Sequence, residues 1–113
     1  MIPSVVFDIE TTDLKGLMGR MLCVSFLDGQ TGEVTTFRAD EQPWKGRTKI
    51  DDKKLAVACR NHLEKYKLIV GHNSKLFDVP FVNARLAKHG ERPIHVEWHM
   101  AVSYTHLRAH ETI

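Results

Sequence analysis

The 113-residue sequence lacks any long apolar run. No stretch approaches the ~20 apolar residues that a membrane-spanning helix requires. No basic, apolar signal segment precedes the first strand-like run either, so we expect a cytoplasmic protein with no membrane partner. A chain of this length also excludes two domains, although it suffices for one sizeable core.

Cysteine is scarce and neither sign of charge dominates. Cys23 and Cys59 lie far apart in apolar segments, which fits buried thiols in a reducing compartment better than a disulfide framework or a zinc site. Sixteen Lys and Arg against 14 Asp and Glu give a formal net charge of +2. That surplus is too small to indicate nucleic acid as a partner from charge alone.

Hydrophobic patterning predicts the order β-β-β-α-β-α-β. The β-type runs cover residues 5–10, 21–27, 33–38, 68–71 and 94–98. The turn-forming stretch 28–32 makes the second and third strands an antiparallel hairpin. Asp51 or Asp52 can cap a first helix, and a second helix is predicted over 77–89. Three meandering strands followed by α/β alternation indicate an α/β fold with a mixed sheet flanked by helices.

Two carboxylates end the first strand. Because side chains alternate along a strand, Asp8 and Glu10 face the same side. Such close like charges are tolerable chiefly if a cation neutralises them, and hard oxygen ligands suit Mg²⁺ or Mn²⁺. The alternative is an exposed acidic strand end, which Asp-x-Glu taken alone favours.

A third carboxylate lies where a buried strand passes through a loop into the second helix. Asp78 ends the stretch Gly71-His72-Asn73-Ser74-Lys75-Leu76-Phe77-Asp78. Taken singly, Asp78 is better explained as a helix N-cap or first-turn residue, because Asp is common before a Pro-containing first turn.

Taken together, the two clusters resemble motifs of the DEDD superfamily of 3′–5′ exonucleases. These enzymes have a ribonuclease H-like fold and include the proofreading domains of DNA polymerases. Residues 5–12 are similar to the first motif, and Asn73-x-x-x-Phe77-Asp78 is similar to the second. The continuation to Arg85 most resembles the branch related to the exonuclease domains of family B polymerases. The resemblance covers residues 4–100.

The resemblance implies that Asp8, Glu10 and Asp78 ligate two divalent ions, Mg²⁺ or Mn²⁺. One ion would lower the pKa of the attacking water, and both would stabilise the in-line displacement at the scissile phosphate. The three carboxylates would therefore be the catalytic residues.

The resemblance also implies a substrate site. Thr11 and Leu14 would lie beside the 3′-terminal nucleotide, Asn73 would hydrogen-bond near the terminal phosphates or sugar, and Phe77 would pack against an unpaired base. Structural alternatives stay open: a turn hydroxyl for Thr11, core positions for Leu14 and Phe77, and a loop-capping amide for Asn73.

The third motif of the family is absent. It requires an Asp in a late helix after a Tyr or His, but no Asp follows Asp78, and Tyr104 is followed four residues later by Arg108. The last helix of the family's fold has no counterpart here either. We expect the sheet face that it would cover to be exposed.

The C-terminal residues suggest why the third motif and the last helix are absent. Residues 102–113 resemble a peptide that arises at the ends of unrelated metagenomic genes when sequencing-adapter DNA is translated. We therefore expect residues 1–101 to be the N-terminal part of an exonuclease domain, truncated before its last helix, and 102–113 to be a foreign tail. The alternative is a genuine terminal helix of a short relative.

The sequence thus predicts a metal-dependent 3′–5′ exonuclease acting on single-stranded or frayed 3′ ends of DNA or RNA. Without the third motif, this chain is expected to be weakly active or inactive. The alternative function is a non-catalytic ribonuclease H-like module that binds nucleic acid or a protein.

Overall fold

The order of strands and helices predicted from the sequence is confirmed. The computed structural model describes residues 2–13, 16, 19–71 and 77–101. Its strands are β1 (Ser4–Thr11), β2 (Met21–Asp28), β3 (Val34–Arg38), β4 (Leu68–Gly71) and β5 (Trp98–Ala101), and its helices are α1 (Lys53–Leu63) and α2 (Val79–Lys88). Within these residues, neither helix has the length and apolar character needed to cross a membrane.

The described strands form a mixed sheet in the order β3-β2-β1-β4-β5. β1, β2 and β3 pair antiparallel, whereas β1–β4 and β4–β5 are parallel. The predicted hairpin turn is closed by Asp28, whose Oδ1 accepts hydrogen bonds from the backbone N–H groups of Gln30 (2.8 Å) and Thr31 (3.0 Å). Gly32 completes the turn with φ +73°, a conformation that glycine adopts without steric cost.

Alternate side chains of β1 point to two different environments. Val5, Phe7 and Ile9 are 0%, 2% and 6% exposed. Both helices pack on this side, which we call the covered face. The helix residues in the same core are Leu55, Ala56, Cys59 and Leu63 from α1 and Phe81, Val82 and Leu86 from α2.

The opposite side, which we call the open face, carries the exposed β1 residues Val6, Asp8 and Glu10. The strand register aligns one apolar side chain from each strand across this face. The row is Val34, Leu27, Val6, Val70 and Met100. Four of the five are 38–64% exposed, so in the described part of the chain this face is left largely to solvent.

The fifth strand begins later than predicted. The prediction placed it over 94–98, whereas β5 is Trp98–Ala101. The backbone N–H of Ile94 donates to Asn83 Oδ1 (2.8 Å), and that of His95 donates to Glu64 Oε2 (2.8 Å). Because Asn83 in α2 and Glu64 at the end of α1 accept these hydrogen bonds, the segment is held against the helices before it joins the sheet.

The helix starts also differ in detail from the prediction. Asp51, not Asp52, accepts a hydrogen bond from the first turn of α1, with its Oδ1 3.1 Å from the N–H of Lys53. Asp52 occupies the N-cap position but makes no side-chain capping bond. The second helix was predicted from Phe77, but α2 begins at Val79, with Phe77 and Asp78 in a wider helical turn before it.

Candidate functional site

Asp8 and Glu10 lie on the open face of the central strand. The register pairs Asp8 with Ser25 and Glu10 with Cys23, so that polar side chains of β2 flank both carboxylates. Burial raises the pKa of the Cys23 thiol, and the negative charge of Glu10 raises it further. A thiol in this environment stays protonated at neutral pH.

Asp78 is buried, with 4% of its surface exposed. Asp78 occupies the predicted position at the start of α2 and has a helical backbone, but its side chain makes no capping hydrogen bond to the helix. Capping therefore does not account for the burial of its carboxylate. Burial raises the pKa of Asp78 to about 6, and the negative charge of Asp8 adds to the effect. The structure thus brings Asp8 and Asp78 close enough for their charges to interact.

The described residues contain no group of three His, Cys, Asp or Glu side chains that could hold a metal ion. Glu10 therefore does not join Asp8 and Asp78 in one closed cluster. The donor set nevertheless consists of hard carboxylate oxygens, and a cation would relieve the repulsion between Asp8 and Asp78. These residues fit a magnesium or manganese ion by their chemistry.

The predicted substrate-binding residues have different surroundings. The Thr11 hydroxyl donates to the carbonyl of Asp13 at 2.8 Å, as a turn hydroxyl would. Phe77 is half-buried, with its ring centroid 5.5 Å from that of Phe81 at the edge of the core. Leu14 and Asn73 lie outside the described residues, as does the 102–113 segment.

A buried ionic network between the start of α1 and α2 was not predicted. Asp52 and Arg85 are 1% and 3% exposed. Arg85 donates from Nε and Nη2 to the two Asp52 oxygens, both at 2.8 Å, and His89 Nε2 lies 2.7 Å from Asp52 Oδ1. The backbone N–H of Met21 also donates to Asp52, at 2.9 Å. Burial raises the pKa of Asp52, but the hydrogen bonds from Arg85, Met21 and His89 outweigh it and hold the pKa below its usual value.

The same arginine also holds the segment that follows β1 against α2. Arg85 Nη1 donates to the carbonyl of Gly16 at 3.0 Å. A Cβ at Gly16 would lie 2.6 Å from the Cβ of Ala84, so only glycine allows this approach to α2. The only signal for this network in the sequence was the position of Arg85 in the continuation of the second motif. The sequence pattern predicted Asp52 only as a possible helix cap.

Comparison with known proteins agrees with the ribonuclease H-like topology of the sheet and helices. A family model described as the RNase H superfamily matches residues 5–110. The chain belongs to the RNase H superfamily.

Membership in the RNase H superfamily gives the chain a nuclease-type fold. A solved structure of similar fold is that of the family B DNA polymerase from the hyperthermophilic archaeon Pyrobaculum calidifontis, with a TM-score of 0.64 and 21% sequence identity. The match covers 80% of this chain and 12% of that polymerase chain. No curated protein matches the sequence significantly.

Proposed function

We propose that this RNase H superfamily chain is the N-terminal part of a metal-dependent 3′–5′ exonuclease domain that hydrolyses phosphodiester bonds at nucleic-acid 3′ ends. The observation that carries the proposal is the buried carboxylate of Asp78, whose pKa is raised to about 6 beside Asp8. Placing a second acid where it is desolvated and repelled costs folding stability. Such costs are typical of functional sites.

The three carboxylates come from two different elements of the fold. Asp8 and Glu10 project from a strand held rigidly at the centre of the sheet, whereas Asp78 approaches from the start of α2. Bound Mg²⁺ or Mn²⁺ would supply an activated water and stabilise the charge that develops at the scissile phosphate. The carboxylates would hold such an ion and orient it against the substrate.

Phe77, Thr11, Leu14 and Asn73 are proposed to hold the 3′ end. Phe77 packs against Phe81 on one side and is only half-buried, which leaves part of its ring for contact with an unpaired base. Stacking on an aromatic ring tolerates any base, so we expect little sequence preference. DNA and RNA ends are both candidate substrates.

Metal binding is the direct test. We would titrate Mg²⁺ and Mn²⁺ into the chain by calorimetry, and into Asp8→Asn and Asp78→Asn. Glu33→Gln, an exposed carboxylate in the β2–β3 turn, is the matched control. We expect saturable binding to the chain and the control, and its loss in both site variants. Equal binding by all four proteins, or none by any, would contradict the metal site.

The direction of hydrolysis needs a second measurement. Single strands labelled at either end would be digested with high enzyme concentration, because three carboxylates are expected to give weak turnover. Stepwise shortening from the 3′ end supports an exonuclease, and internal cuts would overturn that assignment.

A non-catalytic nucleic-acid or protein binding module is the second candidate. It is favoured by the lack of any Asp after Asp78 and by the absence of a three-ligand cluster among the described residues. Oligonucleotide or protein binding that is independent of divalent ions, together with no metal binding, would establish this alternative.

A further inference from the structure

A groove of about 1140 Å³ lies on the side of the molecule that carries the helices. Its walls come from α1, the end of α2, the segment 43–51 and the segment around Arg20. The groove is separate from the open face, where Asp8 and Glu10 are exposed. Six of its lining residues are Lys or Arg. Arg85 is paired with Asp52, and the other five are Arg20, Arg47, Lys53, Lys54 and Lys88.

The acidic side chains of the groove offset its positive charge only in part. Among the described residues, none of these five side chains forms an ion pair within 4 Å. The acidic residues of the walls are Asp51 and Glu91, and Asp51 already accepts hydrogen bonds from the backbone N–H groups of Arg47 and Lys53. The lining thus carries more cationic than acidic side chains, although the net charge of the whole chain is only +2.

The first turn of α1 adds to this potential. It contains no acidic residue and opens with Lys53 and Lys54. Lysine is unfavourable at a helix N-terminus, because the helix dipole already places partial positive charge there. Asp51 and Asp52 precede this turn, so the exposed lysine side chains, rather than the helix end itself, are the groups that would attract an anion to the groove wall.

An aromatic side chain completes the groove. Trp44 lines it and is stacked on Phe37, with ring centroids 4.7 Å apart and an interplanar angle of 22°. An indole held in this way beside several cations is the combination that single-stranded nucleic acids bind, through phosphate contacts and base stacking.

The groove reaches the strand that carries the carboxylates. Thr12 lines it and lies two residues after Glu10. Thr12 is fixed to the far wall, because its N–H donates to the Arg20 carbonyl (3.1 Å) and its Oγ1 accepts the Arg20 N–H (3.0 Å). The groove thus extends to the carboxyl end of β1, and a strand bound in it would have to pass around this end of the sheet to reach Glu10 on the open face.

We infer that this groove binds the sugar–phosphate backbone of single-stranded nucleic acid upstream of its 3′ end. The inference rests on the proposed function for the direction of the strand. The contacts to phosphate are independent of sequence, so the groove contributes affinity and length preference rather than base specificity.

Fluorescence anisotropy without divalent ions tests the groove without hydrolysis. The probe is a labelled oligothymidylate of about 12 nucleotides, within the range that single-strand grooves hold. Lys53→Ala/Lys54→Ala removes two groove charges, and Lys65→Ala/Lys67→Ala removes two exposed charges beyond α1 as the matched control. We expect at least about tenfold weaker binding by the groove variant, with a salt slope lowered by about 1.4. The control is expected to bind like the parent chain.

A second readout does not depend on these lysines. In a Trp98→Phe background, Trp44 is the remaining tryptophan, and its fluorescence is expected to be quenched by the long oligonucleotide. An oligonucleotide of about 3 nucleotides is too short to reach from the carboxylates into the groove, and it is expected to bind the groove variant and the parent chain equally.

Several results would overturn the inference. These are equal losses of oligonucleotide affinity in the two double variants, no loss of affinity in the groove variant, or complete competition by inorganic tripolyphosphate at equal phosphate concentration. The outcome is separable from the proposed function. Loss of metal binding in the calorimetry would refute the exonuclease site while leaving groove binding intact, and the reverse result would refute only the groove.

Discussion

Neighbouring residues of β1 lie in opposite environments on the two faces of the sheet. On the covered face, Phe7 and Ile9 lie under two helices and are almost fully buried. One residue away on the open face, Asp8 and Glu10 are exposed beside a row of partly exposed apolar side chains. The covered face packs against the helices, and the open face presents the two carboxylates to solvent. A period of two along β1 is what allows both.

Two Arg–Asp pairs show the same contrast between a buried and an exposed position. Arg85 with Asp52 and Arg38 with Asp40 each form two hydrogen bonds through Nε and Nη2, at 2.8–3.0 Å. The first pair has 4% and 1% of its side chains exposed, and the second has 52% and 67%. Identical geometry therefore has different energetic value, because water competes for one pair and is excluded from the other.

The largest expected effect comes from breaking the buried pair. Arg85→Met would leave Asp52 buried with only Met21 and His89 as partners, and we expect a loss of about 3–5 kcal/mol in the free energy of unfolding. Arg38→Met, which removes the exposed pair, is expected to change stability little. Urea denaturation of both variants measures the difference. Equal losses would show that burial does not distinguish the two pairs.

Matched leucines test the apolar contrast between the faces. Leu55 is fully buried in α1 against the covered face, and Leu27 is 40% exposed in the apolar row of the open face. We expect Leu55→Ala to cost about 2–5 kcal/mol, because a cavity is left in a packed core. Leu27→Ala is expected to cost less than about 1 kcal/mol. Thermal unfolding gives both values, and a large loss for Leu27→Ala would mean that the open face is covered in solution.

The third expected effect, at Asp78, has the opposite sign. Because the folded state raises the pKa of Asp78 from 3.8 to about 6, it holds the proton more tightly than the unfolded chain does. The contribution of Asp78 to stability therefore falls as pH rises from about 4 to 6, and near pH 7 its ionisation costs roughly 3 kcal/mol.

Asp78→Asn removes this titration. We expect it to unfold at higher urea concentration than the parent chain at pH 7, and the difference to shrink toward pH 4. Glu33→Gln provides the pH-matched control, since Glu33 lies in an exposed turn. A difference that stayed constant across this pH range would show that Asp78 is not the group responsible.

Several features followed from the sequence alone. The alternation along β1 was enough to place Asp8 and Glu10 together on one face, and the turn at 28–32 was enough to predict the hairpin of β2 and β3. The motif around Phe77 and Asp78 indicated the superfamily. These are local patterns, in which backbone period and turn chemistry act over a few residues.

Other features depended on contacts between distant residues. The start of β5 was misplaced because Asn83 and Glu64 take the backbone donors of the preceding segment. Asp52 looked like a helix cap, but its partner Arg85 lies 33 positions away.

The sequence by itself determined the strand and helix order and the identity of the acidic residues, because hydrophobic period and residue chemistry are written locally. Only the tertiary structure decided that Asp78 is buried beside Asp8, and that Lys53, Lys88 and Trp44 line one groove. Burial and convergence arise from packing two helices on a sheet, and the free energy of a charge depends on what that packing places around it.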